Sequence, residues 1–318
     1  MNASDQNSEK HEKNKNAELN KLNKSRKFCK FYYKGESKRK HAKNDKIKKL
    51  KIRLKRGFKR REYNSDTKRD ITAYGALSES YDALMTDADY DKRAAFLIRQ
   101  FRRRGLKTIL DLGCGTGTIA WLLSRKGYRV LAVDASSEML TEAMGKAAAY
   151  PGFSPPLFVR QSMNRLDLGR QQIDAAISTL DALNYLISES DLRETFRRVY
   201  QFLRPGGLFL FDVNTPRKLR RMDKKIYMDE SNHIFCVWRT FFTEKTGICV
   251  YQVDLFSQRP DGAWERRFEE HRERAWSEEQ LREFLTDAGF TRIQITGDLS
   301  GKSPAPDADR WLVRAEKK

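Results

Sequence analysis

This sequence predicts an α/β fold: a doubly wound, mostly parallel sheet with a separate antiparallel sheet inserted late in the chain. Three observations carry that reading. From Tyr74 onward, apolar strand-length runs alternate with helix-length runs, as a parallel sheet with crossover helices requires. One strand-turn-helix-strand block, Ile109 to Asp134, contains the glycine-rich turn DLGCGTGT. Between Asp212 and Trp276 the pattern changes to strand-like runs separated by KTG and RPDG, hairpin-type turns that indicate antiparallel pairing.

The elements follow in order. YGALSESYDALM and DYDKRAAFLIRQF read as two helices ahead of the first strand. TILDL, YRVLAVD, PLFVRQ, IDAAIST and GGLFLFDVN read as five strands, separated by helical stretches such as SSEMLTEAMGKAAA and ESDLRETFRRVYQFL. Arg204, Pro205, Gly206 and Gly207 end the last of these helices and turn the chain into the fifth strand. IFCVWRTFF, GICVYQVDLFSQ and AWERRFEEHRERAW form the inserted sheet, placed at about residues 217–276. A helix then opens on a Ser277-to-Gln280 capping box and stops at Gly289. FTRIQITGD and RWLVRAEK close the fold as an antiparallel pair.

Charge divides the chain in two. Residues 1–70 hold 25 Lys and Arg against 9 Asp and Glu, a net of +16 out of the formal +20. The remaining 248 residues are nearly balanced and are ample for one α/β domain with an inserted subdomain. The first segment is too poor in aliphatic residues to offset the entropy of ordering it, so it reads as a disordered extension. Two parts of it suit a partner: KFCKFYYK sets Phe28, Phe31, Tyr32 and Tyr33 among lysines, a mixture fit for nucleic acid. KIKKLKIRLKRGFKRR suits a basic helix for RNA, an anionic membrane surface or a protein. The bland alternative is a solvated tail. Cys29, Cys114, Cys236 and Cys249 form no CxxC pair and no zinc-type spacing, so neither a disulfide scaffold nor a metal is expected. The absence of a secretory core and of a run of about twenty apolar residues makes a cytoplasmic, reducing compartment the expectation, with no transmembrane segment. Oligomeric state is not legible.

The block at Ile109 carries the chemistry. Gly113, Gly115 and Gly117 remove every second side chain from the turn, which lets a ligand approach backbone. A dinucleotide fingerprint needs a third glycine at position 118, where Thr118 stands, and a phosphate loop needs a Gly-Lys-Ser/Thr ending that is absent. Asp111 beside the turn would repel a pyrophosphate but attract an ammonium group. Asp134, 21 residues after Gly113 at the end of the next strand, is placed to accept hydrogen bonds from two ribose hydroxyls. A ligand with a cationic amino-acid end and a ribose is S-adenosylmethionine.

DLGCGTGTIA followed by VDASSEML resembles the cofactor site of class I, Rossmann-like S-adenosylmethionine-dependent methyltransferases, and the likeness runs from about Tyr74 to the C-terminus. The resemblance implies a seven-stranded sheet with a reversed last strand. It places Asp111, Gly113, Cys114, Gly115 and Gly117 at the methionyl end, Asp134 on the ribose, Ala135 and Ser136 beside the adenine, and Thr179 after the fourth strand near the donor. It also makes Tyr81, in a YD pair, a cofactor-covering tyrosine. Where the family commonly has an acid for the adenine amino group, this chain has Ser162 and Met163. The antiparallel insert resembles the lid of small-molecule methyltransferases, which implies a small-molecule acceptor methylated at nitrogen or oxygen. The basic segment keeps RNA or a ribosomal component as the alternative, and a non-catalytic binding protein as the third.

Methyl transfer needs placement and desolvation, with a base only when the acceptor arrives protonated. Candidates at the strand ends are Asp181, Asn184 and Tyr185 after the fourth strand, and Asp212 and Asn214 at the end of the fifth. His271, in the insert, is a candidate proton acceptor. Each has a plainer reading: Asp181 as a helix N-cap, Tyr185 as core, Asn214 as a turn residue, and His271 on a solvated strand face.

Overall fold

A computed structural model describes residues 73–85, 88–231, 233–297, 299 and 302–318, all within the unit Lys68–Lys318. The basic segment 1–70, with its aromatic-lysine stretch and basic helix, lies outside the described residues.

The main sheet contains β1 (Thr108–Leu112), β2 (Arg129–Asp134), β3 (Leu157–Arg160), β4 (Ile173–Ser178), β5 (Leu203–Asn214), β10 (Thr291–Gly297) and β11 (Arg310–Glu316). Its order is β10-β11-β5-β4-β1-β2-β3. β1 lies between β2 and β4 in parallel, Ile109 facing both Val130 and Ala175. β11 runs antiparallel to both neighbours, with Val313 opposite Phe211 on β5. It is the reversed last strand that the resemblance implies. Alternation sorts side chains to two cores. Leu110, Leu131 and Val133 pack with Phe196 and Val199 of α5 (Glu189–Phe202) and Leu281 and Phe284 of α7 (Glu278–Asp287). Ile109, Val130 and Ala132 pack with Phe96 and Leu97 of α2 (Tyr90–Arg102) and Ala120 and Leu123 of α3 (Thr118–Ser124). Each buried aliphatic or aromatic side chain contributes about 1.5–3 kcal/mol.

The capping box at Ser277 and Gln280 is formed in both directions. Ser136 caps α4 (Ser137–Gly145) by accepting from the Met139 amide. The chain enters β5 at Leu203, earlier than the glycines suggest, because the Arg204–Gly207 stretch bulges between the Ile173–Leu203 and Ala175–Leu208 pairings.

The insert is a four-stranded antiparallel sheet in the order β6-β7-β8-β9, comprising β6 (Ile226–Ser231), β7 (Ile234–Thr243), β8 (Ile248–Gln258) and β9 (Trp264–Arg274). A short helix, α6 (Pro216–Arg221), leads into it from β5. β6 is not among the strands read from the sequence: it is an edge strand with nearly all its residues exposed, so burial leaves no period-two signature. On its core side the insert packs Cys236, Cys249, Tyr251, Val253 and Leu255 against Leu77 and Leu219.

A buried charge network ties the ends of β4, β5 and β11. Asp212 accepts from Arg93 at 2.7 Å and from Arg310 at 2.6 Å, and Arg310 also reaches Asp181 at 2.6 Å. Asp212, read as an acceptor-site candidate, is therefore consumed by structure. Removing it takes the Asp212 carboxylate from Arg93 and leaves Arg310 with Asp181 alone, inside a largely buried network. Asp212→Ala is expected to lower stability by roughly 3–5 kcal/mol in urea unfolding, whereas Glu244→Ala, which breaks the exposed pair with Arg220, changes it by less than about 0.5 kcal/mol.

Candidate active site at the strand ends

In an open α/β sheet the ligand crevice lies outside the strand carboxyl ends where the strand order reverses, here between β1 and β4. Asp111 sits at that point, one residue before the end of β1, and is 1% exposed. Neither of its carboxylate oxygens has a hydrogen-bond partner. Burial, and then the charge of Asp134, push its carboxyl up to about 7. An interior acid without a donor is costly, and an ammonium group arriving at the crevice would satisfy it.

The three glycines do different work. Each has positive φ, at +67° for Gly113, +54° for Gly115 and +69° for Gly117. A Cβ on Gly113 would lie 2.8 Å from Ala182 Cβ, and one on Gly117 would lie 2.8 Å from the Phe158 ring and 2.9 Å from Ala143 Cβ. These two are required by packing. A Cβ on Gly115 would meet nothing within 4 Å, so Gly115 alone leaves open space for a ligand. The turn's amides are already used: those of Gly113 and Cys114 donate to the Val133 carbonyl, and that of Gly115 donates to Asp134 Oδ2 at 2.8 Å. What the turn offers is therefore space rather than free donors. Asp134 Oδ1 accepts from the Ser136 amide at 2.9 Å. The Cys114 thiol is pushed well up by burial and by Asp111 and Asp134, which fits a small space-filling side chain.

The other cofactor candidates are placed as follows. Ala135 is exposed after β2. Met163 lies over Gly113, its Cε 3.1 Å from where a Cβ would stand. Ser162 donates to Asn164 Oδ1 at 2.6 Å, and Asn164 donates to Asp191 at 2.7 Å, so an acid does stand behind Ser162, one amide removed. Thr179 borders a small void with Phe96, Leu97 and Leu312, on the α2 side of the sheet. Tyr81, on α1 (Ser78–Leu84), stacks edge-on against Tyr74 with ring centres 5.7 Å apart. Its neighbour Asp82 accepts from Thr116 at 2.7 Å and pairs with Lys146 at 2.5 Å, which latches α1 over the glycine turn.

Among the acceptor candidates the structure replaces the plainer readings. Asp181 makes no side-chain cap; it holds Arg310 instead. Burial alone would raise its carboxyl, but Arg310 and Lys218 outweigh that and hold it low. Asn214 is 2% exposed; it donates to Glu273 at 2.7 Å and accepts from Lys218 at 2.8 Å. Asn184 holds the backbone together, bonding the Asn214 amide and carbonyl and the Arg274 carbonyl. His271 is 1% exposed rather than on a solvated face. Both of its ring nitrogens are engaged, Nδ1 with the Tyr185 hydroxyl at 3.2 Å and Nε2 with Glu269 at 3.0 Å. Tyr74, Glu269 and Glu273 were not singled out from the sequence. The signal was present in the spacing of Glu269, His271 and Glu273, which share one face of β9 at period two.

A doubly wound sheet with an unpartnered acid, an open glycine and a second acid at its switch point defines an α/β enzyme that binds S-adenosylmethionine. Comparisons agree with that class. Residues 109–207 match a family described as a methyltransferase domain. The chain is 34% identical over 248 residues to a protein of Geobacillus sp. (strain WCH70) named as a methyltransferase, covering 77% of this chain and 99% of that one. The crystal structure of an S-adenosylmethionine-dependent methyltransferase from Clostridium acetobutylicum ATCC 824 superposes with a TM-score of 0.69 at 28% identity, covering 77% of this chain and 99% of that one. A glycine/sarcosine N-methyltransferase of Halorhodospira halochloris is 25% identical over 241 residues, covering 72% and 84%. The chain belongs to the class I S-adenosylmethionine-dependent methyltransferases. The donor supplies a methyl carbon already activated by its sulfonium; Asp111 would hold its ammonium group and Asp134 its ribose.

Two outcomes follow for donor binding. Because the donor's ammonium favours ionised Asp111, binding lowers that carboxyl from about 7 and affinity falls as pH falls below that value. Calorimetry with S-adenosylhomocysteine is expected to show weakening of about fivefold from pH 7 to 6, steepening toward tenfold per pH unit below that, and Asp111→Asn should flatten this dependence. Gly115→Ala should cost about 1–2 kcal/mol of stability yet strongly weaken binding, whereas Gly117→Ala should cost about 3 kcal/mol through added packing strain.

Proposed function

We propose that the enzyme methylates a nitrogen or oxygen atom of a small molecule. The observation that carries this reading is the closure of the insert onto the strand ends: β9 reaches Tyr185 through His271, and Asn214 through Glu273. The region beside the switch point is thus walled by buried polar side chains from two sheets. Such an enclosure suits a compact acceptor, since desolvation and alignment are what methyl transfer needs. Relatives named as glycine/sarcosine N-methyltransferases, in Halorhodospira halochloris and Aphanothece halophytica, support the same reading across most of the chain. Among the described residues no helix is long and apolar enough to cross a membrane.

The test is transfer of an isotopically labelled methyl group from the donor into a metabolite extract, read by mass spectrometry. One labelled small molecule is expected, formed as fast by residues 71–318 as by the full chain and lost in Asp134→Ala. Label appearing only in RNA or protein would refute the reading.

A further inference from the structure

Four side chains form a continuous chain, half-buried at Tyr74 and Tyr185 and buried at His271 and Glu269. With the imidazole neutral, donor count sets the hydrogen-bond directions along it. Tyr74 donates its hydroxyl proton to Tyr185 Oη at 2.6 Å. Tyr185 then has one proton left to place, and its other neighbour is His271 Nδ1 at 3.2 Å. Nδ1 therefore accepts, so the neutral imidazole carries its proton on Nε2 and donates it to Glu269 Oε2 at 3.0 Å. Every donor points the same way, toward the carboxylate. The head of the chain, Tyr74 Oη, gives away its proton and retains its acceptor lone pairs.

The fold goes to some expense to put Tyr74 there. Its φ of +69° is the left-handed region, unusual for a tyrosine. The strain is held by Glu269, which accepts from the backbone amides of Tyr74 at 3.1 Å and Leu77 at 2.8 Å and also from that of Ala76. One carboxylate thus fixes both ends of the chain. The ring of Tyr74 contacts those of Tyr81, Tyr185 and His271. The helix that follows it, α1, is latched to the glycine turn through Asp82, and the turn bearing Tyr185 abuts Gly113 through Ala182. The chain therefore ends beside the switch-point crevice. Burial keeps both phenols protonated, which suits a conductor of protons rather than a phenolate.

We propose that Tyr74, Tyr185, His271 and Glu269 form a proton relay that takes the proton from a protonated acceptor, so that the substrate is a hydroxyl compound or an ammonium-form amine. This rests on the small-molecule reading above. As the acceptor atom takes the methyl group, the donor sulfur keeps the electron pair of the broken carbon–sulfur bond and the acceptor loses its proton to Tyr74 Oη. Tyr74 passes its own proton to Tyr185, Tyr185 passes its proton to His271 Nδ1, and the resulting imidazolium is paired with Glu269. Tyr74 is the catalytic residue; the other three are positioning residues that act through it.

The relay is tested on the full chain with probes that need no knowledge of the acceptor. Nitrogen-15 NMR of labelled histidine at pH 7, with S-adenosylhomocysteine bound, should show His271 protonated on Nε2 and bare on Nδ1, and Tyr185→Phe should move the Nδ1 resonance downfield. Sinefungin, which carries an amine where the donor carries its methyl group, places a cationic donor at the head of the chain. Tyr74→Phe should reduce the preference for sinefungin over S-adenosylhomocysteine by about tenfold, the worth of one hydrogen bond to a charged group, with S-adenosylhomocysteine affinity within about twofold of wild type. A proton on Nδ1, an Nδ1 resonance indifferent to Tyr185→Phe, or an unchanged sinefungin preference would each overturn the relay. Because these readouts require no methylated product, they separate failure of the relay from failure of the small-molecule reading.

Discussion

The carboxyl group of Asp111 has been withdrawn from water and given no donor in return, in a strand hydrogen-bonded on both sides. A buried acid in that condition costs free energy in either protonation state: ionised, it lacks solvation, and neutral, it lacks an acceptor for its proton. Parallel strands make the arrangement workable. They deliver all their carboxyl ends to one edge, so that β1, β2, β4 and β5 contribute Asp111, Asp134, Asp181 and Asn214 to the same side of the sheet. The cost is local, and the surrounding cores supply the stability that carries it.

The inserted sheet serves a second purpose with the same economy. Its β9 strand buries Glu269, His271 and Glu273 along one face, an unusual load of ionisable groups for a strand interior. Each is tied to the main sheet or to the segment before α1: Glu269 to the Tyr74–Leu77 amides, His271 to Tyr185, and Glu273 to Asn214. Burial and then Asp181 push Glu273 up while Arg310 and Lys218 hold Asp181 low. Of the two acids, one holds its proton more tightly than a free carboxyl and the other less tightly. Such polar seams also fix register, since a one-residue slip of β9 would turn all three groups to the opposite face.

Much of this was legible in the chain. The strand–helix alternation, the reversed closing pair, the inserted sheet and the helix opening at Ser277 follow from periodicity, hairpin turns and capping chemistry, together with the family resemblance. The acids at Asp111 and Asp134 follow from their distances to the glycines. What was hidden has a common physical cause: it depends on contacts between residues far apart in sequence. Asp212 looks like a site residue until Arg93 and Arg310 close on it. His271 looks like a surface residue until Tyr185, 86 positions away, caps its ring. Tyr74 shows no local pattern, because its conformation is imposed by a carboxylate 195 residues downstream. The glycine triplet read as one device, whereas backbone geometry divides it into two packing glycines and one that leaves room.

Asp134 holds a further consequence. Its two oxygens offer about four lone pairs, and the protein directs the backbone amides of Ser136, Gly115 and Ala135 at them. What remains is charge and acceptor capacity for the hydroxyls of a pentose. A nucleoside bearing a phosphate on either hydroxyl would bring negative charge against this carboxylate. The same anchor that shapes the loop thus acts as a filter on the sugar, disfavouring phosphorylated coenzymes by charge.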